Sequence, residues 1–249
     1  MATILETPNF PAKLVVVVGE TGSGKSALAM ELAERFDGEL ICADSRTVYK
    51  GMDIGTAKPS VQEQARVKHH LLDSVEPDQP FTAVDFKRLA NEAIDDISWR
   101  NKIPIMVGGT GLYISGVLFN FSFEKDLPDK KLLRSNTLIL GLRVPKDELK
   151  RRIQKRTEQM LKNGLEDEVR ALSKKFGWHA SAMTGIGYRE FQAYFAGLQT
   201  LDKTAEKINT NTMLYAKRQR TWLRPNHSIQ WLDDPENSVE LVTTFLNKK

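Results

Sequence analysis

The stretch "GETGSGKS", Gly19–Ser26, directly follows the apolar run Leu14–Val18 and leads into a segment with helical spacing, Lys25–Arg35. It fits G-x-x-x-x-G-K-[ST] at every fixed position, a loop whose backbone N–H groups face a phosphate at a helix N-terminus. Strand, loop and helix in that succession commit the chain to a βα unit on a parallel sheet. Gly19 and Glu20 open the turn, and the N–H groups of Thr21, Gly22, Ser23, Gly24 and Lys25 form the cradle. The Lys25 ammonium is expected at a terminal phosphate and the Ser26 hydroxyl on Mg²⁺. The motif says that a phosphate binds, not which one.

The rest of the first half repeats the βα alternation. "LICAD" reads as a second strand ending at Asp44, "HHLLDS" as a short third, "IPIMV" from Ile103 as another and "TLILGL" from Thr137 as the last of the sheet. Thr82–Trp99 has helical spacing with Thr82 as N-cap. Beyond Arg143 the texture becomes helical. Pro145–Gly164 starts on proline, carries acids early and bases late, and stops at glycine. Leu165–Lys175, Tyr188–Ala196 and Thr204–Thr221 also read as helices, and "SIQWL" and "SVELVTTFLN" as a strand and helix returning to the sheet. The division expected is a core over 1–143 with a linker at 120–136, a helical region over 144–225 and a returning unit over 226–249. One cysteine, Cys42, excludes an intrachain disulfide and suits a reducing compartment. The absence of a span of ~20 apolar residues, and of a signal-like N-terminus, places the chain in the cytoplasm with no membrane partner. The net charge of +4 permits a nucleic-acid partner without requiring one.

Four further stretches carry chemistry-bearing residues. Asp44 closes a strand at the edge where parallel sheets bind ligands, as a general base, a Mg²⁺ ligand through water, a clamp on a hydroxyl, or simply a turn-starting aspartate. It opens "DSRTVYKGMDIGTAKP", sixteen residues where a βα connection takes ~2–6. "VGGTGLY" is a second glycine-rich strand-to-helix turn, in which Gly108, Gly109 and Gly111 would admit a close ligand and Thr110 offers a hydroxyl or a cap. Arg152 and Arg156 share a helix face, suited to a pyrophosphate or to solvent. In "AKRQRTWLRP", basic residues around Trp222 suit an RNA backbone and a stacked base, or a dipole-favoured helix end with a packed indole. His69 and His70 have no second cluster at metal-ligand spacing and read as structural.

In order and content, "GETGSGKS", "DSRTVYKGMDIGTAKP", "HHLLD", "VGGTGLY", "RRIQKRTEQML..GL..EV", "GIGYRE" and "YAKRQRTWLR" resemble the tRNA dimethylallyltransferases over nearly the whole chain. The resemblance implies a P-loop NTPase-like parallel sheet flanked by helices, with a helical C-terminal portion. It implies that the loop holds the diphosphate of dimethylallyl diphosphate and that the five-carbon group passes to N6 of the adenosine at tRNA position 37. By the same resemblance Asp44 is the general base and Thr110 lies near the reacting base. Thr21, Lys25, Ser26 with Mg²⁺, Arg152 and Arg156 attend the diphosphate. Ser45, Arg46, Thr47 and Val48 follow at the extruded base, and Lys217, Arg218, Gln219, Trp222 and Arg224 lie on the tRNA. The partners implied are the tRNA anticodon loop and dimethylallyl diphosphate, with the protein a monomer.

Three departures stand out. Glu20 replaces a usual proline, Met213 a common arginine, and Asn120–Asn136 stands where family members carry a helical insertion that grips the anticodon stem. An adenylate prenyltransferase, a small-molecule kinase with lid arginines and a non-catalytic RNA-binding remnant are the competing readings. The long loop and the basic aromatic stretch favour tRNA over a free nucleotide.

Overall fold

The computed structural model describes residues 12–119 and 133–248, so Met1–Phe10 and most of Asn120–Asn136 lie outside the described residues. Six strands form one sheet: β1 (Leu14–Gly19), β2 (Gly38–Ala43), β3 (His69–His70), β4 (Ile103–Gly108), β5 (Thr137–Leu142) and β6 (Ile229–Leu232). Their order is β3-β2-β4-β1-β5-β6 and every neighbouring pair is parallel. Central β1 pairs Val16 with Met106 on one side and Ile139 on the other.

The valine run is a central strand because both its faces are covered. Leu14, Val16 and Val18 join Phe86, Ile94 and Ile97 of α3 (Ala83–Trp99) and Ile114 and Val117 of α4 (Gly111–Leu118). Val15 and Val17 point the other way, to Leu28 and Leu32 of α1 (Lys25–Arg35) and Val242 of α9 (Asn237–Asn247). Each such side chain, removed wholly from water, contributes roughly 1.5–3 kcal/mol. The cap read at Thr82 is a reciprocal box: Thr82 Oγ1 accepts from Asp85 N at 3.2 Å, and Asp85 Oδ2 accepts from Thr82 N at 2.9 Å.

A second core lies beside the sheet. The loop after β2 inserts Val48, Tyr49 and Met52 among side chains of α5 (Lys146–Lys162), α6 (Leu165–Phe176), α7 (Phe191–Phe195) and α8 (Leu201–Leu223). The third strand, expected over "HHLLDS", ends at His70, because Leu71 takes a φ of 62°. Three helices also differ from the sequence reading. The helix expected from Tyr188 is only α7, because Gly187 takes a φ of 94° and Tyr188 remains in a turn. Helix α8 is longer at both ends, its start fixed by Thr200 Oγ1 accepting from Lys203 N at 3.2 Å. A six-residue helix, α2 (Val61–Arg66), is too short to register as a periodicity and is set instead by a Ser60–Glu63 capping box.

Glu168 of α6 holds the sixteen-residue loop. Its Oε2 accepts from Asp53 N at 2.9 Å and Ile54 N at 2.8 Å, while Oε1 accepts from Gly55 N at 3.0 Å and the Tyr188 hydroxyl at 2.6 Å. Successive N–H groups converging on one anion form a nest, here filled from within the chain. Tyr188 is fully buried, and burial together with Glu168 drives its pKa well up, so it stays a donor. Lys58, its side chain 3% exposed, closes the loop by donating to the Tyr49 carbonyl, Asp53 and Asp73. Glu168→Gln removes the charge from the nest and faces one loop N–H or Tyr188 with a second donor. We predict a loss of about 2–3 kcal/mol in urea unfolding; a loss under 0.5 kcal/mol would show that the loop does not depend on this anchor.

Candidate active site

The order β2-β4-β1 places the C-terminal ends of three adjacent strands side by side, and with them Asp44, Thr110 and the phosphate loop. After β1 the chain turns through Glu20–Gly24, and Gly24 takes a φ of 95° at the N-cap of α1. An L-residue there would be strained, which is why the motif demands glycine. After β2, Asp44 Oδ1 accepts from Arg46 N at 2.8 Å, and Ser45 N donates to Thr110 Oγ1 at 3.1 Å. The strand-end carboxylate and the Thr110 hydroxyl are thereby built into one turn. Arg46 then reaches away, donating to the Ser181 carbonyl at 2.9 Å and to Thr184 Oγ1 at 3.3 Å.

Helix α5 supplies the facing wall. Arg156 Nη1 donates to Thr21 Oγ1 at 3.1 Å, and Arg152 Nη1 approaches the Gly22 carbonyl at 3.4 Å while its Nε is engaged by Glu148 at 2.9 Å. A cleft of about 230 Å³ lies between these elements. Thr21, Asp44, Arg46, Arg156 and Arg218 line its polar side, and Ile153, Met160 and Ile208 an apolar one. Burial lowers the Lys25 pKa to about 8; Asp44 opposes the shift and Arg156 adds to it. Burial lowers the pKa of Arg156 as well, again against Asp44. Lys25, Arg156 and Asp44 therefore feel one another across the cleft. Ser26 is exposed at the start of α1.

The glycines of "VGGTGLY" have a different use from the one expected. What approaches them closely is the chain itself: a Cβ on Gly109 would overlap Gln219 Nε2, one on Gly111 the Trp222 indole, and one on Gly108 the Ala43 carbonyl. The two motifs are thus packing partners. Trp222 covers Gly111, remains 40% exposed and donates from Nε1 to Ser115 Oγ at 3.2 Å. Lys217, Arg218 and Arg224 are exposed on α8. Gln219 is buried, its Oε1 accepting from Thr21 N at 2.8 Å and its Nε2 donating to the Gly109 carbonyl at 2.9 Å. Thr47 and Val48 are buried too. Helix periodicity explains the split within "AKRQRTWL": Ala216, Gln219 and Leu223 face inward at spacings of three and four, while Lys217 and Arg218 face out.

Glu20, the acid that replaces proline, is also buried. Arg220 clasps it, Nη2 to Oε1 at 2.6 Å and Nε to Oε2 at 3.1 Å, so its charge is paired before any phosphate arrives. The sequence reading named Arg220 among the basic residues around Trp222, without its partner Glu20, and did not single out Tyr215. Tyr215 stands one helical turn before Gln219, a spacing that places both on one face and was the available signal.

The sequence pattern of the IPP transferase family matches residues 47–135 and 122–226, two overlapping stretches that together span most of the chain. Among curated proteins, tRNA dimethylallyltransferase 1 of Citrifermentans bemidjiense is 39% identical across 92% of this chain and 95% of its own length. That alignment runs over 291 positions while this chain has 249 residues, so the relative has segments without a counterpart here. The crystal structure of tRNA delta(2)-isopentenylpyrophosphate transferase from Staphylococcus epidermidis superposes with a TM-score of 0.86 at 31% identity, covering 96% of this chain and all of that one. A eukaryotic dimethylallyltransferase acting on tRNA gives 0.86 at 25% identity, covering 94% and 79%.

Two outcomes test the electrostatics. A diphosphate needs the Lys25 ammonium, present below about pH 8 and lost above it, so the Kd for dimethylallyl diphosphate should rise toward tenfold per pH unit above 8. Calorimetry giving a flat Kd from pH 7 to 9.5 would remove Lys25 from the cradle. Arg220→Met leaves a buried carboxylate beside the diphosphate and should weaken it roughly tenfold, whereas Glu20→Gln/Arg220→Met should recover most of the loss. Additive effects would mean that the pair does not shield the site. The family match, the relatives and the shared fold agree: the chain is a member of the IPP transferase family, that of the tRNA dimethylallyltransferases.

Proposed function

We propose that the protein transfers the dimethylallyl group of dimethylallyl diphosphate to N6 of the adenosine at tRNA position 37. The observation that carries this reading is the cleft that brings a strand-end carboxylate, Asp44, to the cationic cradle of Lys25 and Arg156. An adenine amine is a weak nucleophile and gains from a carboxylate at its proton. N6 attacks C1 of the allyl group, the bond from C1 to the diphosphate oxygen breaks, and the N6 proton passes to Asp44. Lys25 and Arg156 stabilise the departing pyrophosphate, each stabiliser of this kind being worth ~10²–10³ in rate. Thr110 is held by Ser45 N beside the reacting base. The apolar side of the cleft, with Ile153, Met160 and Ile208, suits the methyl-bearing end of the donor.

The donor set fits Mg²⁺. Among the described residues no group of three or more His, Cys, Asp or Glu could hold a metal, but the Ser26 hydroxyl is exposed beside the cradle. Ser26 and the diphosphate oxygens would hold the ion, which keeps waters readily, and it would neutralise diphosphate charge. Lys217, Arg218 and Arg224 are the residues free to meet the RNA backbone. Among the described residues no helix is long and apolar enough to cross a membrane. A monomer acting in the cytoplasm is the setting we propose, since the acceptor is tRNA.

The test is transfer of label from radioactive dimethylallyl diphosphate to unmodified tRNA with adenosines at positions 36 to 38. AMP, ATP and a tRNA with guanosine at position 37 run beside it. Label on the first tRNA alone is expected. Label on AMP or ATP would make the protein an adenylate prenyltransferase, and ATP consumption without label a kinase. Asp44→Asn should lower kcat by ~10²–10⁴ without weakening diphosphate binding; normal turnover in that variant would remove Asp44 as the base.

A further inference from the structure

Helix α8 contributes more to the cleft than its exposed bases. Gln219 is 5% exposed and bridges the phosphate loop and the "GGTG" turn, with Thr21 N on its oxygen and the Gly109 carbonyl on its nitrogen. Tyr215, one turn earlier, lines the cleft with Asp44 and Ser45, its hydroxyl close to the side chains of Gln219 and Thr110. Thr110 Oγ1 in turn takes the Ser45 N–H, next to Asp44. Thr21, Gln219, Tyr215, Thr110 and Ser45 therefore form one contiguous series of polar groups. It spans the strand ends of β1, β4 and β2 without using a residue that must touch the transferred group. Burial holds the Tyr215 pKa up, with Asp44 adding to it, so the hydroxyl keeps its proton near neutral pH.

We propose that Tyr215 and Gln219 are positioning residues for prenyl transfer, Gln219 tying the phosphate loop at Thr21 to the "GGTG" turn at Gly109 and Tyr215 flanking Thr110 at that turn, so that the diphosphate cradle and the Asp44–Thr110 end of the cleft keep their spacing. The inference rests on the proposed reaction for the step it serves, but the bracing of the phosphate loop can be measured without RNA. Buried networks of this kind are costly when half satisfied, because the orphaned groups lie away from water. Gln219→Leu orphans Thr21 N and the Gly109 carbonyl together. Tyr215→Phe deletes one hydroxyl and keeps the ring that Arg218 overlies at 5.7 Å.

Calorimetric titration with inorganic pyrophosphate and Mg²⁺ should show roughly tenfold weaker binding for Gln219→Leu and binding within about twofold for Tyr215→Phe. At saturating donor, Tyr215→Phe should transfer label to tRNA with kcat down about tenfold and an unchanged KM for the donor. A fall in Tm alone, with wild-type pyrophosphate affinity in Gln219→Leu and wild-type kcat in Tyr215→Phe, would overturn the proposal, since a purely structural role moves only stability. If Gln219→Leu does not fold, Tyr215→Phe decides by its split between kcat and KM. If the wild-type protein labels no tRNA, the reaction proposed above fails, while the pyrophosphate titration still decides whether Gln219 braces the loop.

Discussion

The carboxylate of Glu168 receives three consecutive backbone N–H groups and a buried tyrosine hydroxyl, and one whole wall of the cleft depends on that contact. The loop it anchors is otherwise held by separate turns, Tyr49 N to the Arg46 carbonyl, Ala57 N to that of Ile54 and Lys58 N to that of Asp53, and by a bridge from Tyr49 to Val75, yet it must leave β2 at Asp44 and return to β3 without collapsing into the cleft. Backbone donors need partners wherever they are shielded from water. Supplying them from α6 ties residues 53–55 of the loop to the helical core, through a helix more than a hundred residues away in sequence.

Helix α8 does the same for the other wall, and its division of labour follows from its pitch. Ala216, Gln219 and Leu223 turn inward, whereas Lys217, Arg218 and Arg224 turn to solvent. A helix built this way links whatever meets its outer face to the loops beneath its inner one. The glycines of the second turn belong to this contact, because any side chain at Gly109 or Gly111 would push α8 off the phosphate loop. Glu20 and Arg220 fit the same logic. The acid departs from its family's usual proline, and the guanidinium that balances it comes from the same helix, one residue past Gln219.

Much of this was legible in the amino-acid sequence, and what was not has a common cause. The strand ends bearing Lys25, Asp44 and Thr110 follow from apolar runs that stop at polar turns, and the Thr82 cap from a Thr-x-x-Asp spacing. Both signals are local. The loop contacts of Glu168, the bridge of Gln219 and the Glu20–Arg220 pair act across 110 to 200 residues of chain, a separation over which no spacing rule operates. Gln219 was grouped with its exposed neighbours because a run of bases suggests a surface. The helical phase that buries it was nonetheless present in the run. The six-residue α2 escaped because it completes fewer than two turns and buries no side chain.

The charges of the cleft also explain how a loop of this type can serve a reaction that hydrolyses no nucleotide. In the protein alone, Lys25 and Arg156 are crowded into a desolvated space where each cation opposes the other's charge, and Asp44 is the carboxylate that offsets both. A diphosphate entering there replaces water with fixed donors and removes the mutual repulsion of the two cations. The preference strengthens as charge collects on the leaving oxygens, so the interaction grows from bound donor to transition state, as a catalytic interaction must. Asp44 is released from its role as counter-ion by the same event. In the reaction we propose, two cations change their partner and one carboxylate is thereby freed to take a proton, which is what transfer to a weakly nucleophilic amine asks of a site.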